Sequence, residues 1–261
     1  MTQNHHELVA AEYGGRAAEY LESAVHASGE DLDQIETALR GNGALRALDL
    51  GCGGGHVTYR IAPHVGRIVA VDLADEMLAV VRETSASRGL RNVEVLRSAA
   101  EDLPFDEAAF DVVLSRFSAH HWLDFDAGLK EAARVLAPGG RATFVDSTAP
   151  HAALVDTYLQ SIEVLRDGTH VRNRTAAEWI ASLSRAGFDM ISTTPRRIRI
   201  DFDSWLRRTR TPAPHAQAIR SLLAAAPAEV RSYLAVEADG SFMLDTMTFE
   251  AVRGVRRAPS R

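Results

Sequence analysis

The stretch that most limits what this chain can become is Ala47-Leu48-Asp49-Leu50-Gly51-Cys52-Gly53-Gly54-Gly55-His56-Val57. An apolar run holding a single carboxylate breaks into glycines and then enters a helix-like pattern. This order predicts a buried parallel strand whose carboxyl end carries a bare turn, because a turn without Cβ atoms lets a ligand come close to the backbone. The amides of the helix that follows point at such a ligand. Strand and helix patterns alternate from here to Asp146, which predicts an α/β class with a doubly wound, Rossmann-like sheet. With 261 residues, 46% of them hydrophobic, the chain can bury one large core, so residues 1–261 are expected to form one domain rather than two independent ones.

The glycine spacing bears on the ligand. A dinucleotide fingerprint places glycines at its first, third and sixth positions; counted from Gly51, the third is Gly53 but the sixth is His56. Asp49, two residues before the first glycine, would repel a pyrophosphate and suits an ammonium group. S-adenosylmethionine (SAM) carries an ammonium and a sulfonium and no phosphate. The segment resembles motif I of the class I SAM-dependent methyltransferases, which implies that Asp49, Gly51, Cys52 and Gly53 hold the methionine part of that cofactor. An NAD(P)-dependent oxidoreductase and a non-catalytic SAM-binding regulator or partner subunit stand as alternatives.

Downstream, Arg67-Ile68-Val69-Ala70-Val71-Asp72 reads as the second strand. Asp72 ends it about 20 residues beyond the glycine loop, the separation at which an acid meets a ribose. Asp75 is expected to cap the next helix, leaving Asp72 for the sugar hydroxyls, with Leu73 and Met77 beside the adenine. After a third strand at residues 93–97, Ser98-Ala99-Ala100-Glu101-Asp102-Leu103-Pro104-Phe105 resembles the adenine-holding segment of the ubiquinone and menaquinone methyltransferase branch. That branch usually has an aspartate where Ala99 stands, so the adenine role passes to Ala100 and Glu101. A fourth strand, residues 110–115, ends in Ser115 and runs into Arg116-Phe117-Ser118-Ala119-His120-His121-Trp122, beyond a strand's carboxyl end, where ligands gather. His120 and His121 are the candidate catalytic residues, since a neutral imidazole can orient or remove a proton; His120 leads because it resembles a position beside the cofactor. Ser115 is a further cofactor candidate.

A helix at residues 123–136, a tight Ala137-Pro138-Gly139-Gly140 turn and a fifth strand at 141–146 complete the repeated pattern. Helices are expected at residues 150–166 and 175–186, then a strand region at 188–200 interrupted at Pro195, two or three short helices over 203–237 and a last strand at 241–250. The resemblance implies seven strands with the last antiparallel, and a tail fraying from Arg253 onward. It divides the chain into an N-terminal helical lid (1–43), a SAM-binding core (44–146), a helical substrate-side region with the sixth strand (147–240) and the last strand with its tail (241–261). In the lid, helical periodicity brings forward Tyr13, Tyr20 and His26 as substrate-lining residues; packing of both tyrosines on the core is the competing reading. Trp122, Arg172 and Arg174 are further substrate candidates, and Arg207, Arg208 and Arg210 lie in similar regions. Such arginines can clamp a carboxylate or phosphate, or simply face water.

Composition narrows the classes that remain. The net charge of −6 gives no general attraction to nucleic acid. Cys52 is the only cysteine, which rules out disulfides within the chain and a cysteine-based metal cluster, and no metal is expected. No apolar run of membrane-spanning length occurs, and the N-terminus lacks a signal-peptide pattern, so a cytoplasmic protein acting as monomer or homodimer on a small-molecule acceptor is expected. The chain also resembles an uncharacterised bacterial branch of these enzymes, including its His170-Val171-Arg172-Asn173 and Arg210-Thr211-Pro212 segments, a likeness that carries no substrate.

Overall fold

The computed structural model describes residues 4–15 and 28–254. Before the sheet stand α1 (His5–Gly14) and α2 (Glu30–Leu39). The core then runs β1 (Asn42–Leu50), α3 (His56–Ile61), β2 (Val65–Asp72), α4 (Asp75–Ser87), β3 (Val93–Arg97), β4 (Phe110–Arg116), α5 (Phe125–Val135) and β5 (Leu136–Ser147). Helices α6 (Ala153–Arg166) and α7 (Ala176–Ala186) lead to β6 (Phe188–Ile200). Three short helices, α8 (Phe202–Arg208), α9 (Ala213–Ala224) and α10 (Ala228–Tyr233), precede β7 (Phe242–Arg253).

The sheet order is β3-β2-β1-β4-β5-β7-β6, with β7 antiparallel to both of its neighbours. The seven-stranded, Rossmann-like sheet with an antiparallel last strand is therefore as expected. Strand order reverses between β1 and β4, so the crevice at their carboxyl ends opens where no crossover helix covers it. The glycine turn after β1 and the His120-His121 segment after β4 both lie at that reversal.

Among the apolar clusters of the described residues, two bear on the placing of the site. Under the sheet's helices, Trp179 stacks on Phe249 at 4.9 Å and meets Phe125 edge-on at 4.6 Å, with Phe144 and Phe188 alongside. Burying a side chain such as Phe249 completely is worth roughly 1.5–3 kcal/mol. A second core, built from Val155, Ile162, Trp205, Ile219, Leu223 and Phe242 among others, fastens α6 and the three short helices onto the ends of β6 and β7. This places the inserted helices beside the crevice.

Several local expectations need correction. β6 runs unbroken through Pro195, which pairs with Met247; β6 is the outermost strand, bonded on one side only, where a residue without an N–H is tolerated. The Pro138-Gly139-Gly140 turn is drawn into β5 as a register break between the Phe110/Leu136 and Val112/Arg141 pairs. Asp75 is not the cap of α4. Ala74 holds that position, and Asp75 pairs instead with Arg97 at 3.0 Å. Arg253 does not fray, because its guanidinium bonds the carbonyls of Arg134 and Leu136 and pairs with Glu107. Tyr20, His26 and the rest of the tail lie outside the described residues.

Candidate active site

The crevice holds a cleft of about 940 Å³, counting its mouth, walled by the glycine turn, the ends of β2 and β4, and α1. Gly51, Gly53 and Gly55 all have positive φ (73°, 49° and 84°), a conformation open to glycine and strained for other residues. Their open sides differ in use. A Cβ on Gly51 would strike Ser118 Oγ at 1.8 Å, while a Cβ on Gly53 would meet nothing within 4 Å. Gly53 therefore presents bare backbone to the cleft, a cradle that a side chain would fill.

Two acids flank this cradle. Asp49, 1% exposed, accepts a bond from Thr58 Oγ1 at 2.6 Å, and burial pushes its carboxyl up to about 7. Asp72 takes the Gly53 N–H on Oδ2 at 2.8 Å and the Ala74 N–H on Oδ1 at 3.0 Å; burial raises it also. The side chain that ends β2 thus shapes the glycine turn and starts α4, with acceptor lone pairs to spare. Cys52 donates weakly to Gly53 O at 3.7 Å, and burial keeps its thiol protonated, a packing role.

Opposite, α1 sets His6, Val9 and Tyr13 along the cleft, positions three and four apart on one helix face. His5 Nε2 reaches His121 O at 2.9 Å, and Tyr13 Oη lies 2.8 Å from His121 Nε2 and 2.9 Å from Asp167 Oδ2. His121 Nδ1 faces Thr169 O at 3.1 Å; burial and the neighbouring His120 lower its pKa to about 3, which leaves it neutral. Glu101 accepts the Asp124 N–H at 3.1 Å and stands 3.6 Å from His6. The Trp122 indole donates to Ser118 Oγ at 3.1 Å.

Tyr13, Phe117 and His121 form a shared wall with a second cavity of about 580 Å³. Phe117 has φ of 52°, an unusual backbone state for a bulky residue, kept here at the junction of the two spaces. His120 belongs to the second cavity. Its Nδ1–H donates to Asp146 Oδ1 at 2.5 Å and its backbone N–H to Oδ2 at 3.2 Å, so the neutral ring turns a basic Nε2 away from the acid. Burial alone would lower this imidazole's pKa, but the Asp146 carboxylate beside it outweighs burial and raises it.

Of the residues singled out by sequence, the cleft gathers Tyr13, Asp49, Gly51, Cys52, Gly53, Asp72, Leu73, Ala100, Glu101, His121 and Trp122. Met77 is not in its wall; it is wholly buried beneath Tyr13 and Val80. Ser115 is buried in β4 behind the cleft. Arg172 pairs with Asp156 at 2.9 Å, and Arg174 lies 4.2 Å over the Phe125 ring, so neither lines either space. Sequence reasoning missed Asp146, whose signal was the same as that of Asp72, an acid ending a parallel strand. It also missed Ser118, Glu163 and Arg166, which carry no motif.

Comparison with known proteins agrees with this geometry. A family described as a methyltransferase domain matches residues 48–144, the span from β1 to β5. The uncharacterized methyltransferase YcgJ of Bacillus subtilis is 33% identical over 219 residues, covering 84% of this chain and 87% of its own length. The chain belongs to the SAM-dependent methyltransferase family. The crystal structure of YcgJ matches with a TM-score of 0.83 at 30% identity, over 87% of this methyltransferase and 99% of that chain. The uncharacterized protein YafE of Escherichia coli is 40% identical over 197 residues, 76% of this chain and 95% of YafE. The ubiquinone/menaquinone biosynthesis C-methyltransferase UbiE of Idiomarina loihiensis is 34% identical over 116 residues, 43% of this chain and 46% of its own. The cofactor is SAM, and the oxidoreductase alternative is set aside.

The donor set fits that cofactor: bare backbone at Gly53, the buried Asp49 and the half-buried Asp72 suit a cationic nucleoside and oppose a pyrophosphate. A cation beside Asp49 favours its ionised form, so SAM binding near neutral pH is expected to release protons from a carboxyl that burial has raised. Titration calorimetry in buffers of different ionisation enthalpy measures this. Proton uptake, or none exchanged, would remove Asp49 from the cationic end of the cofactor.

Proposed function

We propose that this enzyme methylates an O, N or C atom of a small molecule, with Asp49 and the Gly51–Gly55 turn holding the methionine part of SAM, Asp72 the ribose, and Leu73, Ala100 and Glu101 the adenine. His120 is the general base and Asp146 its positioning partner. Bound SAM supplies a methyl carbon on a positively charged sulfur, which keeps the bonding electron pair as the carbon passes to the acceptor. The chain's own work is to align the acceptor, exclude water and take its proton at His120 Nε2.

The observation that carries this reading is the pairing of two spaces through one wall. The cofactor-type cleft and the cavity holding the His120–Asp146 pair meet at Tyr13, Phe117 and His121. That second cavity, about 580 Å³ counting its mouth, is lined on one side by inserted helices. Among the described residues no helix is long and apolar enough to cross a membrane, and an acidic chain of net charge −6 offers nucleic acid little attraction. The test is to incubate the protein with SAM and a library of small phenols, acids, amines and heteroaromatic compounds, and to follow products by mass spectrometry. A small-molecule product of one added methyl is expected. Methylation confined to nucleic acid or protein in a parallel incubation would overturn the reading.

A further inference from the structure

The cofactor cleft crosses the ends of four strands in the order β3, β2, β1, β4. Ala100 and Glu101 follow β3, Asp72 ends β2, the glycine turn follows β1 and Ser118 follows β4, so these groups stand in a row along the cleft. With adenine and ribose at the first two, the amino-acid end of SAM falls to the last two. That end carries a carboxylate as well as an ammonium, and a carboxylate taken into a cleft with two acids requires hydrogen-bond donors. The glycine turn has few to offer. Gly51 and Cys52 both direct their N–H groups to Val71 O at 2.9 Å, Gly53 donates to Asp72 at 2.8 Å and Gly55 to Cys52 O at 2.9 Å. Of the five, Gly54 alone keeps an amide without a partner among the described residues. Three hydroxyls border the cleft. Tyr13 is engaged with His121 and Asp167, and Ser98 donates to Asp102 O at 2.5 Å. Ser118 differs: its Oγ accepts the Trp122 N–H at 3.1 Å, and its own proton has no acceptor among the described residues.

We propose that Ser118 is a cofactor-binding residue whose hydroxyl donates to the carboxylate of SAM, with Trp122 as its positioning partner. This rests on the orientation given above, ribose at Asp72 and methionine at the turn, and adds the recognition of the anionic end. The place of the hydroxyl is built. A Cβ on Gly51 would lie 1.8 Å from Ser118 Oγ, so the loop after β4 supplies the side chain that the first glycine of the turn lacks. Trp122 is held in turn, packed so closely on Gly128 that a Cβ there would meet its ring at 2.5 Å. The indole takes one lone pair of Oγ and fixes the oxygen, while the O–H remains to turn to a ligand. A hydroxyl donates without setting a further cation beside Asp49, so ammonium and carboxylate are bound by different groups.

The test is calorimetry on the full chain with SAM and with decarboxylated SAM, which keeps the nucleoside, sulfonium and ammonium and lacks only the carboxylate. The decarboxylated form carries one more net positive charge, so the readout is the change in the ratio of the two affinities rather than their order. Ser118→Ala is expected to weaken SAM about tenfold or more, the worth of a hydrogen bond to a charged group, and to leave decarboxylated SAM within about twofold. Trp122→Phe, which keeps an aromatic ring and removes the N–H, is expected to shift the ratio in the same direction by less. Unaltered binding of the decarboxylated form shows that the cleft of each variant is intact. Equal loss for both ligands overturns the proposal, since the hydroxyl would then meet the ammonium or merely shape the turn. No loss for either also overturns it and moves the carboxylate to the Gly54 amide. Asp72→Ala separates this from the orientation beneath it: both ligands carry the ribose and should weaken alike. If they do while Ser118→Ala changes neither, only the Ser118 assignment falls; if Asp72→Ala changes neither, the orientation falls with it.

Discussion

His120→Ala is expected to lower kcat by about 10²- to 10⁴-fold, the usual contribution of a positioned proton acceptor, while leaving SAM affinity within about twofold, since His120 lines the second cavity and not the cofactor cleft. The pH profile gives an independent reading. Only the neutral ring can accept a proton, so kcat/KM should rise with pH and level off above the His120 pKa. That inflection lies above the ordinary histidine value because the Asp146 carboxylate outweighs the effect of burial. Asp146→Asn removes the opposing charge and leaves burial, so the inflection should move to lower pH while the plateau falls, as an amide no longer fixes the Nδ1–H. A group that merely supported the loop would change the amount of folded enzyme and leave the inflection where it was. Full activity of His120→Ala would end its role as base.

Asp72→Ala is expected to weaken SAM binding by roughly 1–3 kcal/mol, the worth of hydrogen bonds to a charged group. Part of this loss comes from the cradle, because the same carboxylate holds the Gly53 and Ala74 N–H groups at 2.8 and 3.0 Å. Asp72→Asn separates the two contributions: its one amide oxygen can keep a backbone N–H in place but cannot accept both ribose hydroxyls and both amides. The asparagine variant should therefore keep more of the parent's thermal stability than the alanine variant does, and still lose cofactor affinity. Calorimetry against SAM and a melting curve measure both. Unchanged affinity in the two variants would move the ribose contact away from the end of β2.

The cofactor half of the site was readable because it is local. Asp49, Gly51, Gly53 and Asp72 sit at strand ends within one strand–turn–helix–strand unit, and sequence spacing fixes their separation before any distant packing is considered. Met77 shows the limit of such reading. Its position on α4 follows from periodicity, but the packing of Tyr13 and Val80 on it, which is a matter of how α1 lies across α4, buries it outside the cleft. Arg172 and Arg174 fail for a similar reason: Asp156 and the Phe125 ring, met only on folding, occupy them.

What the sequence by itself determined is the α/β winding, the glycine cradle, its flanking acids and hence the cofactor, since each depends on residues near one another along the chain. What only the tertiary structure decided is the division of labour at the far side. His120 and His121 are chain neighbours, yet Asp146 of β5 holds one in the second cavity, while the other, in contact with Tyr13 of α1 and Thr169, is kept neutral in the shared wall by burial and by its neighbour His120. The charged lining of that cavity joins α6 to α8 across an intervening helix, α7, and strand, β6. Contacts between segments so distant in sequence arise only when the sheet order brings them together.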